Sequence, residues 1–185
     1  LEDIARLSLK YLKSIEYVVK IYEMVKKYNK REFGVEIAFD ELPQVTKPME
    51  LFFYMNELSS RGLTIDFIAP NIGFVKREDY NGDLSELARR IDTLLAITKS
   101  FGALLSFHSG SGSHPYSDKG IGVWETIRDS SNGMIKYKVS GVYIQLLLEI
   151  MSRFPKGSKV RTTYEEIFDK VLETVKNYVK SKKEL

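Results

Sequence analysis

The chain has 185 residues, 43% of them apolar, with 28 Lys and Arg against 25 Asp and Glu, a formal charge of +3. These values suit a single globular domain over residues 1–185 or a piece of a larger one, exclude a disordered chain, and give no case for nucleic acid as a partner. Cysteine is absent, which rules out disulfides, thiolate metal sites and cysteine nucleophiles; no apolar run reaches the roughly 18 residues of a membrane span and no signal peptide opens the chain, so a cytoplasmic protein without a membrane partner is expected.

Residues 3–29 carry Ile4, Leu7, Tyr11, Ile15, Val18, Tyr22, Val25 and Tyr28 at three- and four-residue steps, which predicts a long amphipathic helix. Residues 33–39 read as a strand, with Val35, Ile37 and Phe39 on one face and Glu36, Ala38 and Asp40 on the other. An acid inside such a run is costly unless paired or solvated, so Glu36 either faces a polar centre or lies on an edge. A second helix starts near Thr46 and Pro48 and stops at Arg61-Gly62, with Met49, Leu51, Phe52, Met55 and Leu58 as its apolar face. Residues 63–69 form the next strand, and the polar connection from Asn71 to Gly82 has the length of a functional loop.

Asp83, with Glu86 three residues on, caps a third helix whose buried face is Leu84, Leu87, Ile91, Leu94 and Leu95. Leu104–Phe107 is a third strand that delivers His108 into a loop of glycines and serines. A short helix over 121–128, a strand over 134–139, an almost wholly apolar and so deeply buried helix over 142–154, and a last helix from Thr162 to Ser181, capped by Thr162 and Glu165, complete the order. One helix, then four strand–helix units, then a final helix predict a parallel sheet with right-handed crossovers. Four units are half of an eight-stranded TIM-like barrel, so a partial barrel, a second chain completing it, or an open sheet all satisfy the pattern. A homo-oligomer is one way to complete it. Few glutamines and many Lys and Glu residues point to a heat-adapted, thermophilic source.

Sites in parallel α/β folds form just after the strands. Those positions hold Asp40 and Glu41, then Asn71, then His108 with Ser109, then Lys138 with Ser140. Carboxylate, amide, imidazole and amine on one rim suit proton transfer next to a carbonyl, with a hard divalent metal cation as cofactor on His108 and carboxylates and a lysine for an anionic substrate. Each position also has a plainer explanation. Asp40-Glu41-Leu42-Pro43 equally describes a turn, His108 a loop hydrogen bond, and Lys136 with Lys138 a solvent-facing strand. The serine–glycine run after His108 lacks the Lys-Ser/Thr of a P-loop.

Phe39-Asp40-Glu41, Thr46 with Pro48, Glu57-Leu58, Arg61-Gly62, Ala69-Pro70, Gly73-Phe74, Asp79-Tyr80-x-Gly82-Asp83 and His108-Ser109-Gly110-Ser111, in that order, resemble the tagaturonate epimerase family. The resemblance implies the carboxyl-terminal part of a metal-dependent (β/α)-barrel hexuronate epimerase, an isomerase of carbohydrate metabolism that inverts a carbon beside a keto group. It implies Glu41 as the catalytic acid/base, His108 as a metal ligand and Lys138 as a family lysine. Asp40, Asn71, Ser109 and Lys138 are then the substrate-binding set for a small sugar acid. The chain departs from the family at Lys136, where a histidine is usual, at Asn71, where an arginine is usual, and after Ser111, where Asp-Lys is expected next. A non-catalytic sugar-acid-binding or assembly subunit is the alternative to an enzyme.

Overall fold

A computed structural model describes residues 2–114, 117–138 and 141–183. The chain divides into two compact units, residues 1–138 and 139–185. The first contains helix α1 (Glu2–Tyr28), strand β1 (Glu36–Ala38), α2 (Pro48–Ser60), β2 (Phe67–Ala69), α3 (Leu84–Ser100), β3 (Leu104–Phe107), α4 (Val123–Ser131) and β4 (Ile135–Tyr137). The second holds α5 (Gly141–Ser152) and α6 (Lys159–Lys183). Among the described residues no helix is long and apolar enough to cross a membrane.

The four strands form one sheet in the order β1-β2-β3-β4, every neighbouring pair parallel, as the alternation of strands and helices predicts. Registers such as Ile37 against Ile68 and Leu105 against Ile135 bring apolar side chains into line across one face. Ile68, Leu105 and Phe107 are sealed on that face under the helices, in one core with Leu7, Tyr11 and Ile15 of α1, Leu51, Met55 and Leu58 of α2, Leu87, Ile91 and Leu94 of α3, and Val123 and Ile127 of α4. The opposite face therefore carries the other alternation: Glu36, Phe67, Ser106 and Lys136, with His108 just past the end of β3.

Short polar devices set the helix boundaries. The Asp83 carboxylate accepts a hydrogen bond from the Glu86 N–H at 2.8 Å, so the predicted cap of α3 is present, although Leu84 is exposed rather than buried. Asp83→Ala should lower stability by about 1 kcal/mol, the ordinary cost of a lost N-cap, measured by urea unfolding. In α2 the Lys47 N–H donates to Glu50 at 3.3 Å, and Thr46 is withdrawn into the interior, where its hydroxyl accepts from the Asn71 N–H at 2.9 Å. Tyr54, absent from the predicted apolar face, replaces the exposed Met49 and Phe52 in the core. Its hydroxyl is paired with Ser14 at 2.8 Å, which removes the cost of burying a phenol.

Two expectations for the second unit fail. Helix α5 is not deeply buried: Ile144, Leu146, Leu147 and Ile150 are exposed by 42–58%. All-round apolarity specifies that a helix seeks cover without supplying the partner, and α6 covers only part of its circumference. Helix α6 starts at Lys159, three residues before Thr162, because Ser158 accepts from the Arg161 N–H and takes the capping role. Glu165 then pairs with Arg161 at 2.7 Å along the helix. Of the expected fourth strand, Val139 lies outside the described residues, as does the rim residue Ser140.

Candidate active site

The open face of the sheet is organised around His108. Its ring is almost completely buried, with Nε2 at 2.9 Å from Oε1 of Glu36 and Nδ1 at 3.1 Å from Oδ1 of Asp40. The geometry at Nε2 is that of a hydrogen bond to Glu36, whereas Nδ1 faces Asp40 without that alignment. The other oxygen of Glu36 accepts from Lys136 Nζ at 2.8 Å, and the same ammonium lies 4.9 Å over the ring of Phe67. Asp40, His108, Glu36 and Lys136 thus form a continuous polar chain across the face. Glu36 and Lys136 come from the two outermost strands, about three strand spacings or ~14 Å apart. Their contact requires the sheet to curl towards this face.

Burial pushes the Glu36 carboxyl up, but Lys136, Ser106 and His108 together pull it down, and the balance leaves it below the ordinary glutamate value. Glu36 is therefore a fixed anion at neutral pH. Ser109, immediately after His108, has a positive φ of 58°, a conformation unusual for a side-chain-bearing residue, and it turns the chain sharply out of the strand. A shallow pocket lies here, lined by Asp40, Pro70, Asn71, Phe74, His108 and Ser109 among others.

The predicted residues divide into two groups. Asp40, Asn71, His108 and Ser109 meet at this pocket. Asn71 acts on the backbone: its amide donates to the Leu42 carbonyl at 2.7 Å and accepts from the Gly73 N–H at 2.9 Å, joining the turn after β1 to the loop after β2. Glu41 lies on the exposed rim in an ion pair with Lys76, whose hydrogen bond and charge hold its carboxyl below the usual range. Lys138 is exposed, with its backbone N–H donating to Phe107 at 2.9 Å. Its charge adds to the field that lowers Glu41.

Two lysines of the region were outside the predicted site. Lys136 was visible as a departure from the family pattern, and pairing with Glu36 explains how a charged residue sits on that strand. Lys119 carried no signal in a loop of glycines and polar residues, yet it is fully buried. Its ammonium donates to the carbonyls of Val75 and Glu78 and lies 5.2 Å from the Phe74 ring. Burial pushes it below the ordinary lysine value, opposed by the charges of Asp79 and Glu78. The loop after β2 is thereby fastened to the loop after β3, with a second tie from the Ser113 N–H to Asp79 at 3.0 Å. Gly112 fits between them only as glycine, because a Cβ would come within 1.8 Å of the Asp118 carbonyl. The Asp-Lys pair expected directly after Ser111 is missing there, and an Asp118-Lys119 pair follows later in the same loop.

The polar chain does not fit a divalent cation by itself. Glu36 and Asp40 lie at opposite nitrogens of the imidazole, so they cannot converge with it on one ion. Among the described residues no three His, Asp or Glu side chains are gathered as a metal site. What the arrangement does supply is a buried imidazole at the carboxyl end of β3, set between two carboxylates, one of which is neutralised by the Lys136 ammonium.

Comparison with known proteins agrees with this architecture. The native crystal structure of the fructuronate-tagaturonate epimerase UxaE from Cohnella laeviribosi is similar at 27% identity and a TM-score of 0.68, over 93% of this chain and 33% of that one. Two glycerol complexes of the same enzyme are similar at 26% identity and a TM-score of 0.67, with the same coverage. The chain thus spans about a third of the length of these solved structures. Comparison with curated proteins gives no match. A family model described as UxaE, tagaturonate epimerase, matches residues 1–183, and the chain belongs to that family.

Proposed function

We propose that this chain carries part of the acid–base site of an epimerase acting on a ketohexuronate or a related sugar acid. The observation that supports it is the Asp40–His108–Glu36–Lys136 chain beside a strand-end pocket, in a member of the tagaturonate epimerase family. Inverting a carbon beside a keto group requires a base to remove its proton, an acid to return one on the other face, and donors for the oxygen that gathers charge meanwhile. Glu41, ionised on the rim, is the proton-transferring carboxylate. His108, held by its Nε2 hydrogen bond to Glu36, forms the back of the pocket beside Asp40. Lys138 takes the carboxylate of the sugar acid, while Ser109 and Asn71 shape the wall.

A ketohexuronate incubated with the chain in D2O and followed by NMR tests this reading. Deuterium should enter the inverted carbon, and Glu41→Gln should slow incorporation about 100-fold, the low end for a lost acid–base group. Absence of both deuterium and epimer would reject catalysis by this chain. A second reading is favoured by one observation: Glu36 and Glu41 are each already neutralised by a lysine. As a sugar-acid-binding or assembly subunit, the chain would gain thermal stability from the ketohexuronate without turnover.

A further inference from the structure

We propose that Lys136 is the resident cation of this site, occupying with its own ammonium the carboxylate oxygen that a divalent metal would need. Hard and borderline cations bind through deprotonated imidazole nitrogens and free carboxylate oxygens that point at one position. Here both oxygens of Glu36 are engaged, one by His108 Nε2 at 2.9 Å and one by Lys136 Nζ at 2.8 Å. A metal seated between Glu36 and His108 would have to break the His108 hydrogen bond and lie against the Lys136 ammonium, a like charge at close range in a partly desolvated site. Three features hold that ammonium in place: the ion pair itself, the Phe67 ring beneath it at 4.9 Å, and the register that sets Lys136 beside the buried Ser106.

The arrangement has a consequence for ligands. The Lys136 side chain remains 44% exposed, so the charge is tethered yet open to an anionic oxygen arriving from solvent. Unlike a metal, it brings no vacant coordination positions and no bound water to activate. The inference concerns the cation and stands whether or not the chain turns over a sugar acid.

The test is isothermal titration of the chelator-treated 185-residue chain with Zn²⁺, Mn²⁺ and Ni²⁺, alongside Lys136→His and Lys136→Met. Circular dichroism confirms that each variant is folded. The parent should show no saturable, EDTA-reversible site up to about 1 mM. Lys136→His, which replaces the ammonium with a ligand beside Glu36 and His108, should bind one equivalent at least about tenfold more tightly, a change of the size seen when a metal's surroundings are altered. Lys136→Met, which removes the charge without adding a ligand, should lie between them. Adding Glu36→Gln to Lys136→His should abolish the gain, which separates this site from surface carboxylates and His114. One equivalent of metal bound by the parent as tightly as by Lys136→His or Lys136→Met would overturn the proposal.

Discussion

Glu36→Gln is expected to destabilise the chain by about 2 kcal/mol at neutral pH, the scale of hydrogen bonds made to a charged group. The amide keeps the shape of the carboxylate but leaves the buried His108 ring and the Lys136 ammonium without their shared anion. The pH dependence identifies the cause. Because the Glu36 carboxyl titrates below its ordinary value of 4.5 in the folded chain, its stabilising contribution is complete above about that pH and is lost as the pH falls through the folded value. Urea unfolding of parent and variant at pH 7 and at pH 3 should show a large difference that shrinks in acid. A difference of equal size at both pH values would mean that packing, not charge, was lost.

Phe39→Ala carries the larger effect on stability, about 3–5 kcal/mol by the usual cost of emptying a buried aromatic position. Phe39 directly follows β1 and turns into the core, with its ring centroid 4.7 Å from that of Tyr54 and 6.1 Å from that of Tyr11, both edge-on. Tyr11 and Tyr54 are themselves in edge contact at 5.6 Å, so the three rings lock α1, α2 and the end of β1 together. The next residue is Asp40, whose carboxylate faces His108. Denaturant unfolding measures the loss, and the His108 side-chain resonances should shift as well, because the backbone that aims Asp40 rests on this cluster. A cost below about 1 kcal/mol would show that the rings are not a structural anchor. Tyr54→Phe, which keeps the ring and removes only the Ser14 hydrogen bond, should cost about 1 kcal/mol.

What could be read in advance follows the range of the forces involved. Asp83 with Glu86 is a contact three residues apart, and it appears where the residue types place it. The alternation Val35-Glu36-Ile37-Ala38-Phe39 correctly separates a core face from a polar one, because side-chain direction along a strand is a local property. His108 was legible for the same reason, as the last residue before a run of glycines and serines. Partners were not legible. Neither Glu36 nor Lys136 names the other across 100 residues, and the burial of Lys119 depends on two carbonyls of a distant loop that accept from its ammonium. The outer faces of α5 show the same limit in reverse, since composition records an apolar surface and leaves its cover unspecified. Ser158 displaced Thr162 as the start of α6 because a serine before a helix-compatible Lys-Val-Arg run caps as well as a threonine.

The span of the Glu36–Lys136 contact also bears on the order of folding. Closing a loop of 100 residues costs chain entropy that no local contact repays, and His108 must cross 72 residues to reach the same carboxylate. Helices α2 and α3 and the strand beside each can settle through short-range contacts, whereas the polar chain requires all four strands in register. The imidazole therefore becomes ordered only when β1 and β3 are both in the sheet, and the Lys136 end of the polar chain only when β4 has docked. During refolding, the chemical shift of the His108 ring is a clock for the pairing of β1 with the rest of the sheet: it reaches its native value after helical circular dichroism has already recovered.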